Sequence, residues 1–317
     1  MSACRSVDVW AARGAAVESL LNRENVATPR AIVRRWRGVT AWAAVAIVGA
    51  LVMALPTAAW ASTPRCMGHT ATIVARPGQV RVLGTSGADV IVGNDRSNTI
   101  SGRGGNDIVC ARGGGDTVHG GAGNDILSTG SGPDFVRGDG GDDVVLTRHG
   151  ADEVLGDVGD DVINLGRGID TLEYDTSGSV MIDLASRVAR GALGNDTVRG
   201  AETVFVSGKV TEIVGNSARN HIEITDRSPG LVVRGRGGND FIDCDSRCPS
   251  AEIFGGDGAD RIIAGNFDDT VHGGPGDDTL DGEAGDDTLI GDQGTDSAEG
   301  STGTDTCVAE TTDNCEH

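Results

Sequence analysis

Carboxylates recur in this chain on a nine-residue interval. Aspartates stand at Asp89, Asp107, Asp116, Asp125, Asp134, Asp143, Asp152, Asp161 and Asp170, and Asn98 fills the one gap, so the phase holds without a slip. A second set runs Asp260, Asp269, Asp278, Asp287, Asp296 and Asp305; Asp240 precedes it, twenty residues before Asp260. The six residues ending in each aspartate are rich in glycine, as in "GGAGND" (120–125), "GDGGDD" (138–143), "GGDGAD" (255–260) and "GGPGDD" (273–278). Glycine permits positive φ and close backbone approach, so such a turn can aim carbonyl oxygens inward beside the carboxylate. Carbonyls and carboxylates together suit a hard cation. Calcium accepts about six to eight oxygens at roughly 2.3–2.6 Å, whereas magnesium keeps its water and demands a tighter octahedron. No thiolate or imidazole recurs with the repeat, which argues against zinc and copper.

Something must hold these turns in register. Two residues after each position of the first set lie Ile91, Ile100, Val109, Val118, Leu127, Val136, Val145, Val154, Ile163 and Leu172, all branched aliphatics. In the second set the same place holds Ile242, Ile262, Val271, Leu280, Leu289 and Ala298, and finally Cys307. Disordered acidic sequence would not keep one carboxylate and one apolar side chain in fixed phase over so many units. The pattern predicts a stack of turns and short strands, each strand sending one aliphatic into a narrow core. A narrow core also fits the scarcity of large rings, at 3% aromatic residues.

In this phase and composition, residues 84–173 and 233–309 resemble the hemolysin-type calcium-binding repeats of RTX proteins. The resemblance implies an all-β fold, a parallel β-roll or β-helix solenoid of nonapeptide repeats. In it a six-residue turn leads into a three-residue strand, and two units complete one coil. It also implies Ca2+ held between neighbouring turns on the same edge of the roll. The ligands then fall to the turns carrying Asp89, Asp107, Asp125, Asp143, Asp161, Asp240, Asp260, Asp278, Asp287, Asp296 and Asp305, and to Gly102, Gly104, Gly120, Gly138, Gly156, Gly273 and Gly282. Each unit buries only one or two aliphatics against the conformational entropy of nine residues, and its carboxylates repel one another. The repeats are therefore expected to be largely unfolded without calcium, so that binding energy becomes folding energy.

If successive units alternate edges, the two edges of the first array differ. On the first edge the turns read "GTSGAD", "GRGGND", "GGAGND", "GDGGDD" and "GDVGDD", with glycine always first and fourth. On the second edge they read "GNDRSN", "ARGGGD", "TGSGPD", "TRHGAD" and "LGRGID", and four of these five lack the first glycine. This predicts one strong file of calcium sites and a weak or empty file opposite. The second array is better balanced, apart from "AGNFDD" (264–269).

The remaining segments divide as follows. Residues 1–61 hold Arg30, Arg34, Arg35 and Arg37, the apolar run Val39–Leu55, and the A-x-A site Ala59-Trp60-Ala61, the order of a secretory signal peptide. An uncleaved anchor is the alternative, since the run approaches a spanning length. The long basic stretch leaves the translation start open. Cleavage before Ser62 would remove three acids, seven arginines and Cys4, leaving 44 acidic against 19 basic residues. Such a chain repels nucleic acid and anionic membrane surfaces and attracts cations. Residues 62–83 are expected to form an N-terminal cap, 174–232 an irregular β-coil spacer without calcium, and 310–317 a tail. A small catalytic domain within the spacer is the sharper alternative.

The six cysteines of the exported chain suggest disulfides, with fifteen connectivities open on paper. Nearness in sequence favours Cys244–Cys248 and Cys307–Cys315, which leaves Cys66–Cys110. Enzymatic signatures are missing: there is no H-E-x-x-H, G-x-S-x-G or P-loop motif. The expectation is a secreted, extracellular, non-enzymatic calcium protein with a structural or interaction role. Its candidate partners are cell-envelope or extracellular-matrix components, with no nucleic acid and no membrane insertion after cleavage. A calcium-dependent β-helix enzyme on polysaccharide, of lyase or epimerase type, is the competing class.

Overall fold

The computed structural model describes residues 63–225 and 229–315. The expected signal peptide in 1–61 lies outside the described residues. Short strands follow one another along the chain, and each pairs in parallel with the strand one coil away. Val144–His149 pairs with Ile126–Ser131 and with Val162–Asn164, for example, at a register shift of eighteen residues. The result is an all-β parallel solenoid of about 13 turns, as the resemblance implied. The ten aliphatics from Ile91 to Leu172 all line its interior, none more than 2% exposed. Because side chains alternate along a strand, the residue between two strand neighbours points inward while they point out. One inward aliphatic per unit is enough because the two sheets lie close together.

Boundaries differ from the sequence expectation at both ends. Ile73–Val74 already pairs with Val90–Val92, and Arg81–Leu83 with Thr99–Gly104, so the stack begins inside the expected cap. Only Arg65–Cys66 and His69–Thr70 form a separate antiparallel pair. At the other end Thr311–Asp313 adds a strand to Ser297–Glu299, so the roll runs into the expected tail. The solenoid continues wherever a strand can satisfy its backbone hydrogen bonds on the previous coil, whether or not an aspartate marks the turn. Disulfides close Cys66–Cys110, Cys244–Cys248 and Cys307–Cys315, the pairing favoured by nearness.

The spacer is more than a run of loose coils. Two long strands, Thr171–Asp183 and Thr203–Val214, pair in parallel and pass from one face of the solenoid to the other. Between them Val188–Gly191 runs backwards, antiparallel to Val180–Asp183 and to Asn195–Arg199. One face of the roll therefore contains an inverted strand. On the other face the sheet passes unbroken from Glu153–Gly156 through Thr171–Tyr174, Thr203–Ser207 and His221–Thr225 to Phe241–Cys244.

Candidate metal centre

Each repeat aspartate is buried at the end of its turn and reaches along the edge. The Asp89 N–H donates to Asp107 Oδ1 at 2.7 Å, Asp107 to Asp125 at 2.7 Å, Asp125 to Asp143 at 2.7 Å and Asp143 to Asp161 at 2.8 Å. The second edge repeats this from Asn98 through Asp116, Asp134 and Asp152 to Asp170. In the second array one file runs Asn220, Asp240, Asp260, Asp278, Asp296, and the other runs Ala251, Asp269, Asp287, Asp305. One carboxylate oxygen per turn is thus spent on clamping the coil before it.

The other oxygen is free to do chemistry. Oδ2 of Asp107, Asp125, Asp143, Asp240, Asp260, Asp278 and Asp287 is buried with no hydrogen-bond partner. The first glycine of each turn explains where it points. A Cβ on Gly102 would lie 2.2 Å from Asp107 Oδ2 and 2.4 Å from the Gly120 carbonyl oxygen of the next coil. On Gly120 it would meet Asp125 Oδ2 at 2.4 Å and the Gly138 carbonyl at 2.7 Å; on Gly235, Asp240 Oδ2 and the Gly255 carbonyl, both at 2.4 Å. Gly255 and Gly273 repeat the arrangement with Asp260 and Asp278. A carboxylate oxygen and a neighbouring coil's carbonyl therefore converge over a glycine that has no room for a side chain, and the carboxylate oxygen has no donor. Buried oxygens without donors are costly unless a cation satisfies them.

This donor set fits calcium. Among the described residues no three acidic, histidine or cysteine side chains gather around one point. No cysteine or histidine recurs in the turns, so the last aspartate of each turn and the backbone carbonyls it faces are the donors on offer. Oxygen-only coordination of mixed carbonyl and carboxylate character is what calcium accepts. The residues that would hold it are the repeat aspartates through Oδ2 and the first residues of neighbouring turns through their carbonyls.

Several expected ligands behave differently. Asp89, at the start of its file, has Oδ2 satisfied by the Thr85 N–H at 2.7 Å and the Thr85 hydroxyl at 2.9 Å. Gly156 faces the ring of Tyr174, whose nearest atom would lie 2.1 Å from an added Cβ, in place of a carbonyl. Tyr174 occupies the first turn position of the following coil and donates its hydroxyl to Asp196 Oδ2, while Asp196 Oδ1 accepts the Asp161 N–H. The file thus ends at a phenol. Gly104 packs nothing nearer than the Ala122 carbonyl at 3.7 Å and has no special φ, so a glycine is not needed there. Positive φ is found elsewhere in the turn. It falls at the fourth position, as in Gly105, Gly123 and Gly141, and at the second, where Arg103, Arg112, Asp139, Arg148 and Arg236 adopt it without being glycine.

The second edge of the first array carries the same buried carboxylates, with Oδ2 of Asp116, Asp134, Asp152 and Asp170 also unpartnered. What changes is the first turn position. Ala111, Thr129, Thr147 and Leu165 stand there, fully buried, in place of glycine. The Thr129 hydroxyl donates to the Thr147 carbonyl at 3.2 Å, and the Thr147 hydroxyl donates to the Leu165 carbonyl. On this edge a side chain bonds the next coil's carbonyl, an oxygen the first edge leaves open. Continuing along the unbroken sheet, however, this same edge becomes the one carrying Gly235, Gly255, Gly273 and Gly291. The edge that lacks first glycines in the first array thus carries them in the second, where the opposite edge also keeps Gly282 and Gly300; sequence spacing alone did not reveal which edges correspond.

Three further features escaped the sequence reading. Glu202 and Glu310 accept the N–H groups of Asp170 and Asp296 and so close two files with a longer carboxylate. An outer ladder runs through the fifth turn position: Asn106 accepts from Asn124, Asn124 from Asp142, and Asp142 from Asp160. Its signal was the recurrent "ND" and "DD" pairs. His119 and His272 are half-buried, lie near Asp139 and Asp292 and pack against Phe135 and Phe254.

Burial raises the carboxyl pKa values of these turns, opposed by the N–H bond from the preceding coil and reinforced by neighbouring carboxylates. Asp125 is raised to about 6, Asp143 to about 7, Asp161 to about 8 and Asp269 to about 7. A carboxyl raised on folding binds more protons folded than unfolded, so it favours the metal-free fold at low pH. That contribution is complete near pH 4 and is lost as pH rises through 6 to 8. In chelator, the β-sheet circular dichroism signal should therefore be larger at pH 4–5 than at pH 8. Calcium should restore it at pH 8. A signal that grows with pH in chelator would contradict the burial of these carboxyls.

The family model described as the RTX calcium-binding nonapeptide repeat (4 copies) matches residues 83–118, 119–148, 137–172, 254–289 and 272–307. No curated protein matches the chain.

Proposed function

Since the chain carries RTX calcium-binding nonapeptide repeats in several copies, we propose that it is a secreted protein whose β-roll folds on binding Ca2+ and serves a structural or interaction role outside the cell. The observation that carries this reading is the convergence, over Gly102, Gly120, Gly235, Gly255 and Gly273, of a buried unpartnered carboxylate oxygen and a carbonyl from the next coil. A repeated site of this kind couples ion binding to the ordering of successive coils, because each ion would touch two of them. The order of basic, apolar and cleavable segments in residues 1–61 supports export, and six cysteines paired in three disulfides suit an oxidising compartment. A non-enzymatic role is supported by the repetition itself: the paired acids such as Asp142 and Asp143 recur with the turn and serve its ladders.

Two measurements test this. Equilibrium dialysis with radiolabelled calcium should give several ions per chain, and fewer than one ion per chain would end the reading. Expression with residues 1–61 intact should place a protein beginning at Ser62 in the medium. Retention of the full-length chain in the cell would remove export from the proposal.

A further inference from the structure

The inverted strand leaves a cavity in the wall of turns. It has a volume of about 590 Å³ and opens where the hairpin after Asp183 meets the end of Asn195–Arg199 and the turns of the second array. Its apolar lining includes Leu184, Val198 and Ala201, all buried. Three arginines line it, the half-buried Arg199 and the exposed Arg187 and Arg236. Some of the chain's arginines pair with carboxylates, as in Arg137 with Asp157 at 3.2 Å and Arg234 with Glu212 at 2.6 Å. Among the described residues none of the three cavity arginines makes such a pair, and Arg199 Nε is buried with no acceptor. One carboxylate, Asp257, shares the lining. Asp183 lies close enough to Arg236 for the guanidinium to help lower its carboxyl, behind burial, which opposes this, and the bonds from Ser186.

Three guanidiniums against one lining carboxylate is an inversion of the chain as a whole, which has 47 acids and 26 bases. Like charges gathered in one concavity repel, and leaving a guanidinium N–H buried and unbonded costs further. Neither cost brings the roll anything, since the neighbouring coils close by backbone ladders. A cation would be driven out of this cavity. An oxyanion would meet planar donors suited to bidentate pairing with carboxylate, sulfate or phosphate oxygens, beside an apolar surface. The volume is that of a small-molecule site. We infer that the cavity bounded by Arg187, Arg199 and Arg236 binds a small organic anion through its carboxylate or sulfate oxygens, separately from the calcium edges.

The test is calorimetric titration of the calcium-loaded protein with glucuronate, glucose and inorganic sulfate. Glucuronate should bind, sulfate should compete with it, and glucose should not bind. Binding of sulfate without glucuronate would keep oxyanion recognition and assign the site to an inorganic anion. Arg199→Gln and Arg236→Gln should each weaken binding about tenfold, as expected for one charge-assisted hydrogen-bonding partner. Arg81→Gln, an exposed residue outside the cavity, should not. Independently of variant folding, phenylglyoxal modification of the wild-type protein, read by mass spectrometry, should be slowed by glucuronate at the three cavity arginines and not at Arg81. Failure of both anions to bind at millimolar concentration, undiminished binding by the double variant, or equal modification with and without glucuronate would overturn the inference. Circular dichroism of the same samples reports whether calcium folds the roll, so failure of that reading is seen separately.

Discussion

In chelator at pH 8 the purified protein should show a largely unordered far-UV spectrum. Calcium should convert it to β-sheet with a midpoint of about 10⁻⁴–10⁻³ M, the range of extracellular calcium modules. Magnesium at the same concentration should not. The physical case rests on what the metal-free roll must tolerate. Files of buried carboxylates lie one coil apart, and those of Asp107, Asp125, Asp143, Asp240, Asp260 and Asp278 among others have an oxygen lacking a donor. At the second turn position Arg103, Arg112, Arg148 and Arg236 hold positive φ, which costs of order 1–3 kcal/mol at each such residue. Against this, each unit buries little more than one aliphatic side chain. Removing the ion therefore removes the term that balances both burial and strain. A full β spectrum in chelator would mean that the three disulfides and the spacer, with its long strands Thr171–Asp183 and Thr203–Val214, hold the fold by themselves.

Asp125→Ala should raise the calcium midpoint by about tenfold, whereas Asp134→Ala should raise it by less than about threefold. A tenfold change corresponds to about 1.4 kcal/mol, within reach of one lost charged ligand. Both substitutions delete a carboxylate that clamps the preceding coil, through the N–H groups of Asp107 and Asp116 respectively. Any difference between them therefore reports the second oxygen. Asp125 Oδ2 faces Gly120 and the open Gly138 carbonyl, while on the Asp134 edge Thr129 fills the first turn position and bonds the Thr147 carbonyl. Gly120→Ala makes the same point from the other side: its Cβ would fall 2.4 Å from Asp125 Oδ2, and calcium-dependent structure should be lost at least as severely as in Asp125→Ala. Equal midpoints for Asp125→Ala and Asp134→Ala would remove the asymmetry between the edges.

The repeat itself was legible because its two signals are independent and locally written. A carboxylate must end each turn to clamp the coil before it, and an aliphatic two residues later must fill the core, so Asp107 with Val109 or Asp278 with Leu280 declares both roles in three residues. The three disulfides followed from nearness for the same reason. By contrast, the closure of the files was hidden. Glu202 and Glu310 do the work of an aspartate from outside the nine-residue phase, and Asp196 stands thirty-five residues from the Asp161 whose N–H it accepts. No periodicity marks them, since a carboxylate there is chosen by where the coil ends.

By itself, then, the sequence determined the stack of turns and short strands, its inward aliphatics, its repeated carboxylates and the oxygen-only chemistry that suits calcium, while the parallel roll came with the family resemblance. These depend on contacts between residues eighteen apart, which a periodic chain repeats by construction. Only the tertiary structure decided which oxygen of each aspartate is left for an ion, why Asp89 and Gly156 differ from their neighbours, and that the edge lacking first glycines in the first array carries them in the second. It also decided that Arg187, Arg199 and Arg236 share one cavity. Those outcomes depend on how the inverted strand between Thr171–Asp183 and Thr203–Val214 brings separated turns together, and that packing has no period to be read.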